Sequence, residues 1–264
     1  MTRYGMPTMI ETDTLERCAQ VAQDLGLDFV ELNINFPQYQ LPLLDAEELK
    51  RIAGEYGIGY TIHLDDEMSI ADFNAYVAEG YRKTVLDAIA LAKDVGIKRL
   101  NMHLSRGAKY TLPDRVVFFF EAYEEDYLRN MARFRDACEE AIGDSGIQIC
   151  MENTNGFLPF QQKALEILLQ SPVFGLTFDI GHNYCAKNAD EGWILSHGDR
   201  LRHFHIHDAA QGSKDHQTLG TGELDCARYL ALAETYDCTV VLETKTVDSL
   251  RDSVNWLHKW QENR

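Results

Sequence analysis

The sequence predicts a single α/β domain in which eight strand–helix units close into one parallel (β/α)8 barrel, the TIM-barrel architecture. Three observations point there. Short apolar runs alternate with helical patterns from end to end, with no linker, repeat or low-complexity segment between them. The 264 residues match the length at which such barrels form single domains. The later strands also finish, one after another, in residues that bind divalent cations or move protons, as a ring of strand ends around one mouth requires. An open eight-stranded sheet is the alternative, and an unbroken strand–helix alternation favours the closed form.

The elements follow in order. Residues 4–10 (YGMPTMI) read as the first strand and 14–26 as an amphipathic helix closed by a glycine. Residues 28–34 (DFVELNI) form the second strand, 45–57 a helix, and 58–63 (IGYTIH) the third strand. A long helix over 75–96, again ending at glycine, leads to the fourth strand at 98–103 (KRLNMH). The fifth strand is 147–152 (IQICME), the sixth 175–179 (GLTFD), the seventh 202–207 (RHFHIH) and the eighth 239–243 (TVVLE). Helical patterns fill 123–143, 161–170, 187–197, 225–236 and 247–262. The segment 104–126 is long for a connection in a compact domain, and such loops are usually lids or binding loops. Its VVFFF run either covers a site or packs on the barrel wall, and apolar runs more often belong to the core.

Lys plus Arg number 25 against 42 Asp plus Glu, a formal charge of −17. So acidic a chain repels a polyphosphate backbone, and no nucleic-acid partner is expected. The N-terminal stretch has neither a long apolar core nor a small-residue cleavage site, so no signal peptide is expected. No apolar run approaches the roughly 20 residues that cross a bilayer. The six cysteines are scattered without a CxxC pair, which reads as reduced, buried thiols and a cytoplasmic protein.

The strand ends carry the chemistry. The third strand ends at His63, the fourth at His103, the fifth at Glu152 and the sixth at Asp179, with His182 one turn on. The seventh offers His205 and His207, and the eighth ends at Glu243. Alternation puts Gln148, Cys150 and Glu152 on one face, with Ile147, Ile149 and Met151 on the other; Thr177 and Asp179 oppose Phe178, and Asn101 and His103 oppose Met102. The polar sets face the barrel axis and climb to its mouth. A single strand-end histidine is usually structural, and a single acid there usually caps the next helix. Six neighbouring strands ending this way need another explanation, and crowded carboxylates are normally relieved by a divalent cation. Glu, Asp, His and Glu suit Mn²⁺, Mg²⁺, Co²⁺ or Zn²⁺. His203, deeper in the barrel, is read as a satisfied core group, and His207 as a rim residue bonding Asp208 or a substrate hydroxyl. His197 and His258 are placed on outer helices facing solvent.

The segments HFHIHDA…HQTLGTGE, ICMENTNG, LTFDIGH and VVLET resemble the xylose-isomerase-like TIM barrel superfamily. That group holds sugar isomerases, 3-epimerases of the tagatose and psicose kind, and endonuclease IV. The resemblance runs over nearly the whole chain and implies one cation held by Glu152, Asp179, His205 and Glu243. Likeness to endonuclease IV implies up to three zinc ions, a second on His63, His103 and Glu152, and a third on His182 and His216. The remaining ligand position of that third ion falls on Lys214, with Asp215 one residue off. A cation at that position disfavours the third ion unless Asp215 reaches in, and His182 is then free to bond substrate.

The expected function is that of a metal-dependent isomerase or epimerase for a sugar or sugar phosphate. Glu152 and Glu243 would exchange a proton next to a carbonyl through a metal-stabilised enediolate, with His182 assisting. His63, His103, His207 and Lys214 would contact the substrate. The alternatives are an endonuclease IV-type zinc phosphodiesterase and a dehydratase or lyase on the same barrel. Oligomeric state is left open.

Overall fold

The computed structural model describes residues 2–211 and 214–263. Eight strands form the barrel: β1 (Tyr4–Pro7), β2 (Phe29–Asn33), β3 (Gly59–His63), β4 (Arg99–His103), β7 (Gln148–Glu152), β8 (Phe174–Asp179), β9 (Leu201–Ile206) and β12 (Thr239–Leu242). They pair in parallel in chain order, and β1 closes on β12. Two small antiparallel hairpins stand outside the barrel. One pairs β5 (Lys109–Thr111) with β6 (Val116–Phe118), the other β10 (Asp208–Ala210) with β11 (Lys214–Gln217).

The outer helices are α1 (Leu15–Asp24), α2 (Ala46–Tyr56), α3 (Ala75–Val95), α5 (Glu124–Ile142), α6 (Pro159–Leu168), α8 (Glu191–Ser196), α9 (Cys226–Thr235) and α10 (Val247–Glu262). Two short helices, α4 (Phe119–Ala122) and α7 (Ile180–Cys185), complete the chain. Side-chain oxygens of Thr14, Asp45, Asn74, Asp225 and Thr246 cap five of the starts, each satisfying a backbone N–H that the helix leaves open. α3 closes at Gly96 in the left-handed conformation, φ 91°. Among the described residues, no helix is long and apolar enough to cross a membrane.

The core lies between the strands' outer faces and the helices. Leu100, Met102, Ile149, Met151, Phe178 and Phe204 are fully enclosed there, each worth about 1.5–3 kcal/mol of transfer free energy. Inside, the barrel is polar. Thr177 Oγ1 donates to Asn101 Oδ1 at 2.6 Å, and Asn101 Nδ2 donates to Glu152 Oε2.

The differences from the expected elements have local causes. The first strand stops at Pro7, and Thr12 turns the chain back by bonding both the N–H and the carbonyl of Met9. The helix expected over 187–197 begins only at Glu191, because Lys187 and Asn188 adopt left-handed φ of 61° and 58°. α6 starts at Pro159, whose fixed φ suits the first helical position. In the long segment after β4, Phe120 stacks on Tyr127 and Phe118 packs near Phe160, so these rings belong to the wall. Leu104 to Gly107 line a cavity instead.

Candidate metal centre

Strand register builds the centre. Glu152 ends β7, and Asp179 ends β8 beside His205 on β9. Glu243 follows β12, its N–H held by the Ile206 carbonyl at 3.0 Å. Ligand atoms of Glu152, Asp179, His205 and Glu243 all lie within 4.8 Å of one another. His205 Nδ1 is 3.0 Å from Glu243 Oε2, 3.3 Å from Glu152 Oε1 and 3.9 Å from Asp179 Oδ2. Glu152 Oε1, Glu243 Oε2 and His205 Nδ1 are buried without hydrogen-bond partners. Orphaned buried polar atoms are rare, and each asks for an explanation. Three carboxylates and an imidazole turned toward one point fit a divalent cation of the hard-to-borderline kind.

Asp179 and Glu243 are held from behind. Asp179 Oδ1 accepts the His182 N–H at 2.6 Å, capping α7, while His207 Nε2 lies 3.1 Å from Oδ2. Lys245 Nζ donates to Glu243 Oε1 at 2.8 Å, leaving Oε2 for the centre. Burial alone would raise the carboxyls of Glu152 and Glu243. His205 and His103 beside the first, and Lys245 and His205 beside the second, hold both well below the usual carboxylate range.

Two further groups flank these four. His63 Nε2 and His103 Nε2 stand 3.4 and 3.2 Å from Glu152 Oε2, and their Nδ1 atoms stand 3.6 and 3.7 Å from Asp66 Oδ1. On the other side, His182 Nδ1 is 3.5 Å from Asp179 Oδ2 and its Nε2 is 3.8 Å from Asp215 Oδ2. His216 Nδ1 lies 3.0 Å from Asp215 Oδ1, and its Nε2 lies 3.3 Å from Glu243 Oε1. Burial disfavours the imidazolium at His63 and His182, but Glu152 beside the first, and Asp179 with Glu152 beside the second, raise them to about 9 and about 10. A cavity of about 580 Å³ opens beside the centre, lined among others by Asp66, His103, Arg106, Asn155, His182 and Asp215.

The structure thus gathers Glu152, Asp179, His205, Glu243, His63, His103, His182 and His216 at one mouth. Two expected substrate contacts fall elsewhere. His207 is fully buried, not at the rim. Its Nε2 faces Asp179, and its Nδ1 accepts the His216 N–H at 2.8 Å. The inward face of β9 continues past the strand's end, and the β10–β11 hairpin folds over it. Gly181 permits this, since any Cβ there would collide with the His207 ring. Lys214 is exposed and does not line the cavity. His216 adopts a left-handed φ of 53°, which breaks the strand's alternation and turns both Asp215 and His216 to the centre. His203 sits deep, with its ring nitrogens on Glu31 and Thr239, as expected. His258 is exposed, but His197 is half-buried, with Nδ1 2.9 Å from the Trp193 carbonyl.

Sequence reasoning missed Asp66, Glu31 and the pairing of Lys245 with Glu243. Glu31 carried a readable signal, being an acid flanked by Val30 and Leu32 in an apolar strand. Asp66 lies in a loop after β3, where no periodicity points to it.

Comparison with known proteins supplies the context. An uncharacterized protein of Methanocaldococcus jannaschii, MJ1311, is 24% identical over 217 residues, covering 78% of this chain and 70% of that one. Among solved structures, a D-tagatose 3-epimerase-like protein superposes with a TM-score of 0.80 at 21% identity, covering 99% of this chain and 97% of that one. An L-ribulose 3-epimerase gives a TM-score of 0.77 at 18% identity, over 100% and 95% of the two chains. The IOLI protein with a bound zinc atom gives 0.73 at 13%, over 99% and 97%. At such identities these likenesses speak to fold. The sequence pattern of the xylose isomerase-like TIM barrel matches residues 19–260, and the chain belongs to that family.

Proposed function

We propose that this chain is a divalent-metal-dependent isomerase or epimerase that moves a proton on a sugar carbon next to a carbonyl. One observation carries the reading. Glu152 and Glu243 come from well-separated strands and turn unpartnered oxygens toward the same point. Their register with Asp179 and His205 supplies the ligand set for one ion. When bound, a divalent ion supplies Lewis-acid polarisation of a carbonyl and a template for its neighbouring hydroxyl.

The residues do the rest. One of the two glutamates takes the proton from carbon, and the electron pair moves onto the carbonyl oxygen. The other returns a proton from the opposite side, which inverts the carbon; return to the adjacent carbon, with the hydroxyl proton passing between the two oxygens, gives the isomer. His182, which lines the cavity, would orient a hydroxyl, while His63 is buried with its Nδ1 2.8 Å from the Leu64 carbonyl. The cavity, about 580 Å³, has room for a monosaccharide. Its wall carries the carboxylates of Asp66, Glu67 and Asp215 against the single guanidinium of Arg106, so with one ion bound it suits a neutral sugar better than a phosphate ester. The 3-epimerases among the structural neighbours support the reading at family level.

A second reading, a multi-cation phosphodiesterase, is favoured by the two flanking groups, His63–Asp66–His103 and His182–Asp215–His216. Metal analysis and proton exchange separate them. The isomerase reading expects about one ion per chain and deuterium entering ketoses from D₂O. Three ions, with cleavage of a phosphodiester and no exchange across a broad panel of free and phosphorylated sugars, would transfer the assignment to the hydrolase.

A further inference from the structure

Beneath the centre, a carboxylate is enclosed in the barrel. Glu31 sits midway along β2 and is 1% exposed. Thr61 Oγ1 donates to its Oε2 at 2.8 Å. His203 Nε2 stands 3.1 Å from the same oxygen, and His205 Nε2 stands 2.9 Å from Oε1. The His205 contact is close, though its N–H is not aligned as a hydrogen bond. His203 is keyed in turn by Thr239, whose Oγ1 lies 2.6 Å from its Nδ1.

This arrangement makes no sense as packing alone. A carboxylate taken out of water costs several kcal/mol unless its surroundings offset that, and an apolar side chain would fill the same space. Glu31 lies directly behind one member of the centre. The His205 ring therefore stands between carboxylates on both sides, Glu31 at Nε2 and Glu152 with Glu243 at Nδ1.

We propose that Glu31 is a positioning residue that decides which nitrogen of His205 is presented to the cation. A lone pair cannot face a carboxylate at 2.9 Å without repulsion, so Nε2 carries the proton. Nδ1 faces carboxylates too, Glu243 Oε2 at 3.0 Å and Glu152 Oε1 at 3.3 Å, but a cation held among Glu152, Asp179 and Glu243 would displace its proton, so Nδ1 is the nitrogen left to present a lone pair. Carboxylates behind metal-bound histidines orient the ring and raise its basicity, and their loss typically costs 10- to 100-fold in metal affinity. His203 and Thr61 hold Glu31 in place for this task by occupying its other oxygen.

The inference rests on the metal centre proposed above, and its test reads metal binding rather than turnover. Co²⁺ is titrated into the metal-free parent, Glu31→Gln and Glu31→Asp, with thermal melts confirming that each variant folds. The expected result is about 10- to 100-fold weaker binding by Glu31→Gln, with part of the loss recovered by Glu31→Asp, which keeps the charge. Binding by Glu31→Gln within twofold of the parent would overturn the proposal, as would equal losses in both variants. Should Glu31→Gln fail to fold, ¹⁵N spectra of histidine-labelled parent with Zn²⁺ decide the matter: metal on Nδ1 with the proton on Nε2 supports it, and the reverse overturns it. A parent that binds no Co²⁺ sinks the centre itself. A parent that binds Co²⁺ but exchanges no sugar proton sinks only the proposed reaction.

Discussion

Asn153 and Asp179 exchange two hydrogen bonds: Asn153 Nδ2 donates to the Asp179 carbonyl at 2.8 Å, and the Asp179 N–H donates to Asn153 Oδ1 at 2.9 Å. The clasp locks the end of β8 to the residue after β7, so Glu152 and Asp179 cannot slide past each other. Both groups are fully buried. Asn153→Ala leaves a main-chain donor and acceptor unpaired, and is expected to cost about 2–4 kcal/mol. Urea unfolding of the parent and variant measures it, and a loss below 1 kcal/mol would show that the clasp is dispensable.

Gly181 presents a steric test. A methyl group there would strike the ring of His207, which is buried and engaged at both nitrogens. Overpacking of this kind typically costs about 1–3 kcal/mol. Gly181→Ala should lower stability by that amount and also weaken metal uptake, because His207 can no longer brace Asp179. A variant as stable as the parent with unchanged uptake would mean that His207 has room to move.

Metal uptake should depend on pH with a definite sign. Without metal, His63 and His182 keep their protons to about 9 and about 10, burial being outweighed by Glu152 at the first and by Asp179 and Glu152 at the second. A cation bound at or beside these groups must displace those protons. Apparent affinity is therefore expected to rise from pH 6 toward pH 9, with protons released on binding. Titration calorimetry in buffers of different ionisation enthalpy counts them. Uptake independent of pH would show that neither histidine is coupled to the ion.

The thiols make a separate prediction. Five of the six cysteines are buried, and Cys185 is half-exposed at the cavity wall. Burial raises them all, Cys150 to about 11 and Cys226 and Cys238 to about 12. A thiol-disulfide reagent should therefore modify one cysteine in the native protein, slowly at neutral pH, and six in denaturant. Rapid reaction of two or more would contradict the packing described for the barrel.

Much of this was legible in the sequence, for a physical reason. A closed parallel barrel repeats one strand–helix unit, and period-two alternation puts the ends of β3, β4, β7, β8, β9 and β12 at a single mouth. That logic pointed to Glu152, Asp179, His205, Glu243, His63 and His103 from the residues, whereas His216 as a ligand was implied only by the family resemblance. The alternation failed where the chain leaves the repeat. His207 lies one residue past β9, and its fate depends on a hairpin folding back and on Gly181 making room. Lys214 is exposed, while Asp215, the residue left open to reach in, stands beside His182 and His216. Asp66 reaches the centre from a loop, and Glu31 acts from below it, where the reading looked only at strand ends.

Glu152, Asp179, His205 and Glu243 are proposed to share one divalent cation. The most direct test is Co²⁺ titration of the metal-free parent alongside Asp179→Asn and Glu243→Gln, followed by visible spectroscopy. The parent should hold at least one tightly bound equivalent, lost or severely weakened in both folded variants. Binding of equal stoichiometry and affinity in all three proteins would contradict the shared site.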